Sequence, residues 1–154
     1  MRSLKFVNTR KIVFQTRVNQ TLSLVKERFN EDLFRFLAPM FPKVSILRYD
    51  GQEPGNQVWV ELNFILFSWQ WQSLISESRE NPDLVEFTDV GTSLPPFLSS
   101  WKHIHRIENI DNQTLISDII FWEPGKYWPG WLVHILLIGQ FSSRPRLYRK
   151  WFQK

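Results

Sequence analysis

Residues 101–122, WKHIHRIENIDNQTLISDIIFW, form two runs in which every second residue is apolar, a histidine or an aspartate, joined by the polar cluster Asn109 to Asn112. Strict alternation marks half-buried strands, because successive side chains of a strand point to opposite faces. The polar cluster supplies the reversal, as a two-residue loop at Asp111-Asn112 or as a four-residue loop, and both give the same register. Trp101 then lies opposite Trp122, His103 opposite Ile120, His105 opposite Asp118, and Ile107 opposite Ile116. These eight residues share one face of the hairpin, while Lys102, Arg106 and Glu108 take the other. Two imidazoles and a carboxylate are thereby predicted on the more buried side of an antiparallel sheet.

Outward from this hairpin, the chain reads as one domain over residues 1–154, long enough for a core of its own. A 16% aromatic share, with nine prolines and six glycines, excludes a disordered chain, which lacks the apolar area to offset ordering entropy. With no cysteine, disulfides, thiolate metal sites and thiol nucleophiles are excluded. No run reaches the roughly 18 to 20 apolar residues of a membrane span, and the N-terminal MRSLKFVNTRK has no apolar stretch behind its charges. A soluble, cytoplasmic protein is expected. The net charge of +4 is concentrated in residues 124–154, which hold Lys126, Arg144, Arg146, Arg149, Lys150 and Lys154 and no acid. Nucleic acid is not an expected partner, because most aromatics alternate like core residues instead of presenting a stacking surface.

Before the hairpin, IVFQTRV (12–18) alternates as a strand, Thr21 and Asn30 cap two short helices ending near Pro39 and Pro42, and VSILRY, VWVELNF, SWQWQSLI and LVEFTD follow as strands. Asp50-Gly51 and Pro54-Gly55 mark one reversal. After the hairpin a Pro-Gly turn at 123–126 leads to Pro129, at the first turn of a long helix that is nearly all apolar from Trp131 to Phe141. Such a run suits a helix packed in a groove, and Pro145 should kink or split it. The fold class is α+β, with helices on one sheet face.

RYDG, Gly55 with VWVEL, FTD, PPF, W-x-H-x-H (101–105), T-x-I-x-D-x-I (114–120), the Pro-Gly turn and F-x-x-R (141–144) follow one another in an order that resembles the START-like, or SRPBCC, superfamily, in its stand-alone bacterial branch. The resemblance covers nearly the whole chain. It departs from related sequences at Gln20, where a proline is frequent, and at Pro145. The resemblance implies a helix-grip fold: a curved antiparallel sheet wrapped around a long C-terminal helix, with two short helices after the first strand and a cavity between sheet and helix. It implies a hydrophobic or amphipathic small molecule, such as a lipid, as partner, but it does not fix the chemistry, because the fold hosts carriers, cyclases and hydrolases alike.

The expected cavity residues are Trp71, Trp101, His103, His105, Asp118, Ile120, Trp122, Trp131 and His134. Rigid tryptophans supply the apolar wall, and His103, His105, Asp118 and His134 are its few polar groups. Carriage or sensing of the ligand is the first reading. The alternative is a cofactor-independent cyclase or dehydratase in which Asp118 orients His105 as general base. The bland account is a buried His-Asp pair that satisfies its own hydrogen bonds. No metal and no cofactor are expected, since no second acid is evident near the histidines. Arg48 is paired in this reading with an acid such as Asp89, and neither is given a role. The tail RPRLYRKWFQK closes the core with its aromatics and carries its charges to solvent, with transient contact to anionic lipid as the rival. A further rival is an interaction module or homodimer formed through Trp59, Ile65, Leu115, Ile119 and Phe121 on the outer sheet face.

Overall fold

The computed structural model describes residues 9–153; the MRSLKFVN stretch and the tail charge Lys154 lie outside them. Seven strands, β1 (Arg10–Val18), β2 (Lys43–Tyr49), β3 (Gln57–Asn63), β4 (Ser68–Asn81), β5 (Leu84–Ser93), β6 (Leu98–Ile110) and β7 (Gln113–Pro124), form one antiparallel sheet in the order β1-β7-β6-β5-β4-β3-β2. The predicted hairpin is β6–β7, with Trp101 paired to Trp122, His103 to Ile120, His105 to Asp118 and Ile107 to Ile116. Its reversal is the two-residue loop: Asp111 and Asn112 both adopt positive φ, which matches the twist of the flanking strands and which these residue types tolerate.

Between β1 and β2 lie α1 (Leu22–Arg28) and α2 (Glu31–Leu37), capped as predicted by the side chains of Thr21, which accepts from the Leu24 amide, and Asn30, which accepts from the Leu33 amide. The long C-terminal helix follows as α3 (Gly130–Phe141) and α4 (Arg144–Phe152). Ser142 and Ser143, between them, keep right-handed helical dihedrals, so the chain turns continuously. The hydrogen-bond ladder lapses there because Pro145 has no N–H to return. Val133, Leu137, Phe141, Arg144, Tyr148 and Phe152 are buried on one stripe that runs unbroken across this junction. This is the helix-grip fold, a sheet curved around a long C-terminal helix that is interrupted at residues 142–143. No helix among the described residues is long and apolar enough to cross a membrane.

The core has two parts. Sheet residues Ile12, Trp71, Trp101, Ile120 and Trp122 pack with Val133, Leu137 and Phe141 of α3. Val25, Leu33 and Leu37 of α1 and α2 pack with Ile107, Ile116, Tyr148 and Phe152. In the hairpin's inner row, His103, His105 and Asp118 fall between Trp101, Ile120 and Trp122 on one side and Ile107 and Ile116 on the other. The polar residues therefore mark the seam between the two apolar clusters. At the far end of the sheet, Gly125 seats the β7–α3 turn on the PPF loop: its amide donates to the Phe97 carbonyl, and a Cβ there would collide with the Pro96 carbonyl.

Candidate functional site

A cavity of about 250 Å³ opens between the sheet and the helices. Its volume lies just under the usual range for small-molecule sites. Leu33 and Leu37 of α2, Val60 and Leu62 of β3, Trp71 of β4 and Phe141 supply apolar wall. Asp89, His103, His105, Arg144 and Tyr148 gather at its polar side, and Arg35 and Asn30, both exposed, carry the lining to solvent.

Two carboxylates, Asp89 on the wall and Asp118 behind it, hold the two imidazoles between them. Asp118 Oδ1 accepts from His103 Nε2 at 2.8 Å and from Arg144 at 3.0 Å, with the Tyr148 hydroxyl at 3.5 Å. Asp89 accepts from Trp101 Nε1 at 3.0 Å through one oxygen and from His105 Nε2 at 2.9 Å through the other. Each imidazole also turns its second nitrogen toward the opposite carboxylate: His103 Nδ1 lies 3.6 Å from Asp89, and His105 Nδ1 lies 3.8 Å from Asp118. The two rings sit 3.8 Å apart between centroids, and Phe87 stacks on His105 at 4.4 Å.

Burial sets the charges. The His103 imidazole is driven down to about 4 by its desolvation and by His105, against the pull of Asp118 and Asp89, so it is neutral at pH 7. Burial works against the Asp118 carboxylate, but the Arg144 guanidinium and the His103 hydrogen bond outweigh it and hold the group well below the usual carboxylate range. Asp89 is likewise lowered, its desolvation outweighed by the His105 hydrogen bond and the nearby imidazoles. Arg144, also penalised by burial, is raised by Asp118. Burial pushes the Tyr148 hydroxyl upward, and the Asp118 charge adds to the shift.

Of the nine residues expected at the cavity, Trp71, Trp101, His103 and His105 line it. Asp118 stands behind His103 at 1% exposure and outside the lining, and Ile120 and Trp122 are fully buried in the core beneath α3. Trp131 and His134 do not reach the cavity. They fall off the buried Val133–Leu137–Phe141 stripe onto the solvent side of α3, where Trp131 is 65% exposed, so α3 lies over the sheet and is not enclosed in a groove. His105 is cross-strand from Asp118 as expected, yet its short bond is to Asp89, and His103 takes Asp118.

Asp89 is the second acid that the sequence reading did not place near the histidines. Arg48, for which an acid such as Asp89 is the expected partner, instead pairs with Asp50 at 2.8 Å. The pairing of β5 with β6 puts Asp89 beside His103 and Phe87 beside His105, and the alternation of F-T-D already placed Phe87 and Asp89 on one face. Arg144 belongs to a tail whose charges are expected in solvent; its i, i+4, i+8 spacing with the core aromatics Tyr148 and Phe152 was the signal that it faces inward. Tyr148 and Phe152 do close the core.

No family model matches the sequence, and the search of characterised proteins by sequence found no match. Solved structures do match in shape. A START superfamily protein from Mycobacterium smegmatis superposes with a TM-score of 0.67 at 13% identity, over 93% of this chain and 97% of its own. Norcoclaurine synthase from Thalictrum flavum gives 0.62 at 10% identity, over 96% and 88%. An aromatase/cyclase from Streptomyces gives 0.54 at 18% identity, over 76% and 69%. At these identities the likeness is one of fold, and it is the fold that the order of sequence motifs implied.

Proposed function

We propose that the protein binds a small amphipathic molecule, with its apolar body against Trp71, Leu62 and Phe141 and its polar end toward His105, Asp89 and Arg144. One observation carries this reading: the cavity wall is mainly apolar, and His105, Asp89 and Arg144 converge on one side of it. A neutral, rigid wall with a few convergent polar groups is the usual form of a small-molecule site. The helix-grip neighbours, which include an aromatase/cyclase and norcoclaurine synthase, support small-molecule use of the fold. Carriage of a lipid in the cytoplasm is the form of this function that we favour. Contact with a membrane or a second copy through the outer sheet face has less support, because Trp59, Leu115, Ile119 and Phe121 are half-buried and only Ile65 of that set is exposed.

Native mass spectrometry of protein purified from its own cells, followed by organic extraction, tests the reading. A stoichiometric adduct is expected in the wild type and absent in Val60→Phe, which fills the cavity. A wild type free of adduct, together with no ligand-induced change in the fluorescence of Trp71 and Trp101 across a lipid and aromatic panel, would overturn it.

A second reading is catalysis without a cofactor, with His105 as general base. It rests on the 2.9 Å contact of His105 Nε2 with Asp89, both of them on the cavity wall, so the orienting acid is Asp89 and not Asp118. Turnover of a bound ligand that is lost in His105→Asn while affinity is kept would favour it.

A further inference from the structure

The short hydrogen bonds of the polar cluster use one nitrogen of each imidazole and leave the second without a close partner. A neutral imidazole has one N–H. His103 spends it on Asp118 through Nε2, so its Nδ1 turns a lone pair toward the Asp89 carboxylate 3.6 Å away. His105 bonds Asp89 through Nε2, and its Nδ1 is buried with no hydrogen-bond partner among the described residues. Arg144 donates to Asp118, while Asp89 accepts from Trp101 and His105.

We propose that Asp89, His103 and His105 form a site for a divalent first-row transition-metal ion on the wall of the cavity. One ligand atom from each of the three lies within 4.8 Å of the others. Asp89 Oδ2 is 3.6 Å from His103 Nδ1 and 2.9 Å from His105 Nε2. Ligands held at ordinary metal distances around a tetrahedral ion are about 3.4 Å apart, so the three converge with little movement. Ligation through His105 Nε2 leaves the ring's N–H on Nδ1. That N–H then stands on the otherwise unpartnered nitrogen, which lies 3.8 Å from Asp118 Oδ1.

The groups behind the ligands suit the same purpose. Metal-bound histidines characteristically donate their second N–H to a carboxylate, and here Asp118, fixed by Arg144, receives the Nε2–H of His103. The second oxygen of Asp89 is held by the Trp101 indole. Two imidazoles and one carboxylate, without thiolate, suit Zn²⁺, Co²⁺, Ni²⁺ or Fe²⁺ and not the hard, oxygen-seeking Ca²⁺ or Mg²⁺. All three ligands face the cavity, so positions on the ion remain open to it. The site stands whether or not an organic ligand ever enters.

The test uses the full chain, stripped with a chelator and titrated with CoCl₂ or ZnCl₂ alone. One equivalent should bind the wild type, Co²⁺ developing d–d absorption of low-symmetry coordination, and binding should fall at least 100-fold in Asp89→Asn. That variant keeps the size of the side chain and an acceptor for Trp101, and circular dichroism verifies its fold. A second variant, His105→Gln, removes one imidazole and should also lose the ion. His134→Ala removes the chain's third histidine, which is exposed on α3, and should bind like the wild type. Absence of stoichiometric binding in the wild type, or binding lost in His134→Ala and kept in Asp89→Asn, would overturn the proposal.

Discussion

The two helices of the C-terminal stretch share one buried stripe and reverse what their compositions suggest. The 12 residues of α3, GWLVHILLIGQF, contain no Asp, Glu, Lys or Arg, yet Trp131, Ile135 and Leu136 are exposed at 65%, 57% and 37%. The 9 residues of α4, RPRLYRKWF, carry four basic side chains, and the first of them, Arg144, is 8% exposed. An apolar helix is held here by only one of its faces, while a charged helix delivers a cation into the core. The difference follows from what each helix covers. Beneath α3 lie Trp122, Ile120 and Ile12, which accept any apolar side chain of the right size; beneath Arg144 lies the Asp118 carboxylate, which needs a countercharge.

If α4 is anchored by charge and α3 by area, truncations on the two helices should fail differently. Arg144→Met should have the largest effect, a loss of about 3 to 5 kcal/mol in chemical denaturation, because it leaves a buried carboxylate without its partner. Restoring electroneutrality with Asp118→Asn in the same chain should recover part of that loss, which a packing defect would not allow. A loss of less than about 1 kcal/mol would show that water or the histidines already neutralise Asp118. Leu137→Ala, on the buried face of α3, should cost about 2 to 5 kcal/mol through the cavity it leaves, without rescue by any change in charge.

Tyr148→Phe is the finer test of α4. The hydroxyl's bond to Asp118 is long, and its removal should cost about 1 kcal/mol at neutral pH. Its pH dependence is more telling. The folded-state hydroxyl is raised by burial and by Asp118, so its contribution is complete below the unfolded value near 10 and is lost as pH rises beyond it. Wild type should lose about 1.4 kcal/mol per pH unit more steeply than Tyr148→Phe above pH 10. Parallel alkaline limbs would mean that Tyr148 ionises in the folded protein.

The same contrast explains what was legible in the sequence. The β6–β7 register followed from alternation and a two-residue turn, both local, and it correctly brought His103, His105 and Asp118 to one face. The contact of His105 with Asp89 depends on how β5 pairs with β6, and the irregular loop through Leu94, Pro95, Pro96 and Phe97 conceals that register. Arg144 was visible only as one of several tail cations, because the buried stripe has to be followed from α3 across Ser142 and Ser143 before its inward direction emerges. Trp131 and His134 misled for the opposite reason: an all-apolar helix has no polar face to show which side looks outward.

The smallest expected effect therefore falls on the residues that the sequence favoured. Trp131→Ser and His134→Ala remove side chains on the exposed face of α3, and each should change stability by no more than about 0.5 kcal/mol. Neither should alter ligand uptake or the tryptophan fluorescence change on binding, since neither residue lines the cavity. His134 does stand beside the Trp122 indole, 6.2 Å between centroids, so its loss also tests whether that contact contributes. The comparison breaks if Trp131→Ser weakens uptake while Trp71→Ser does not. The outer surface of α3 would then be where the ligand lands, and the helix that buries no charge would carry function through the face it leaves in water.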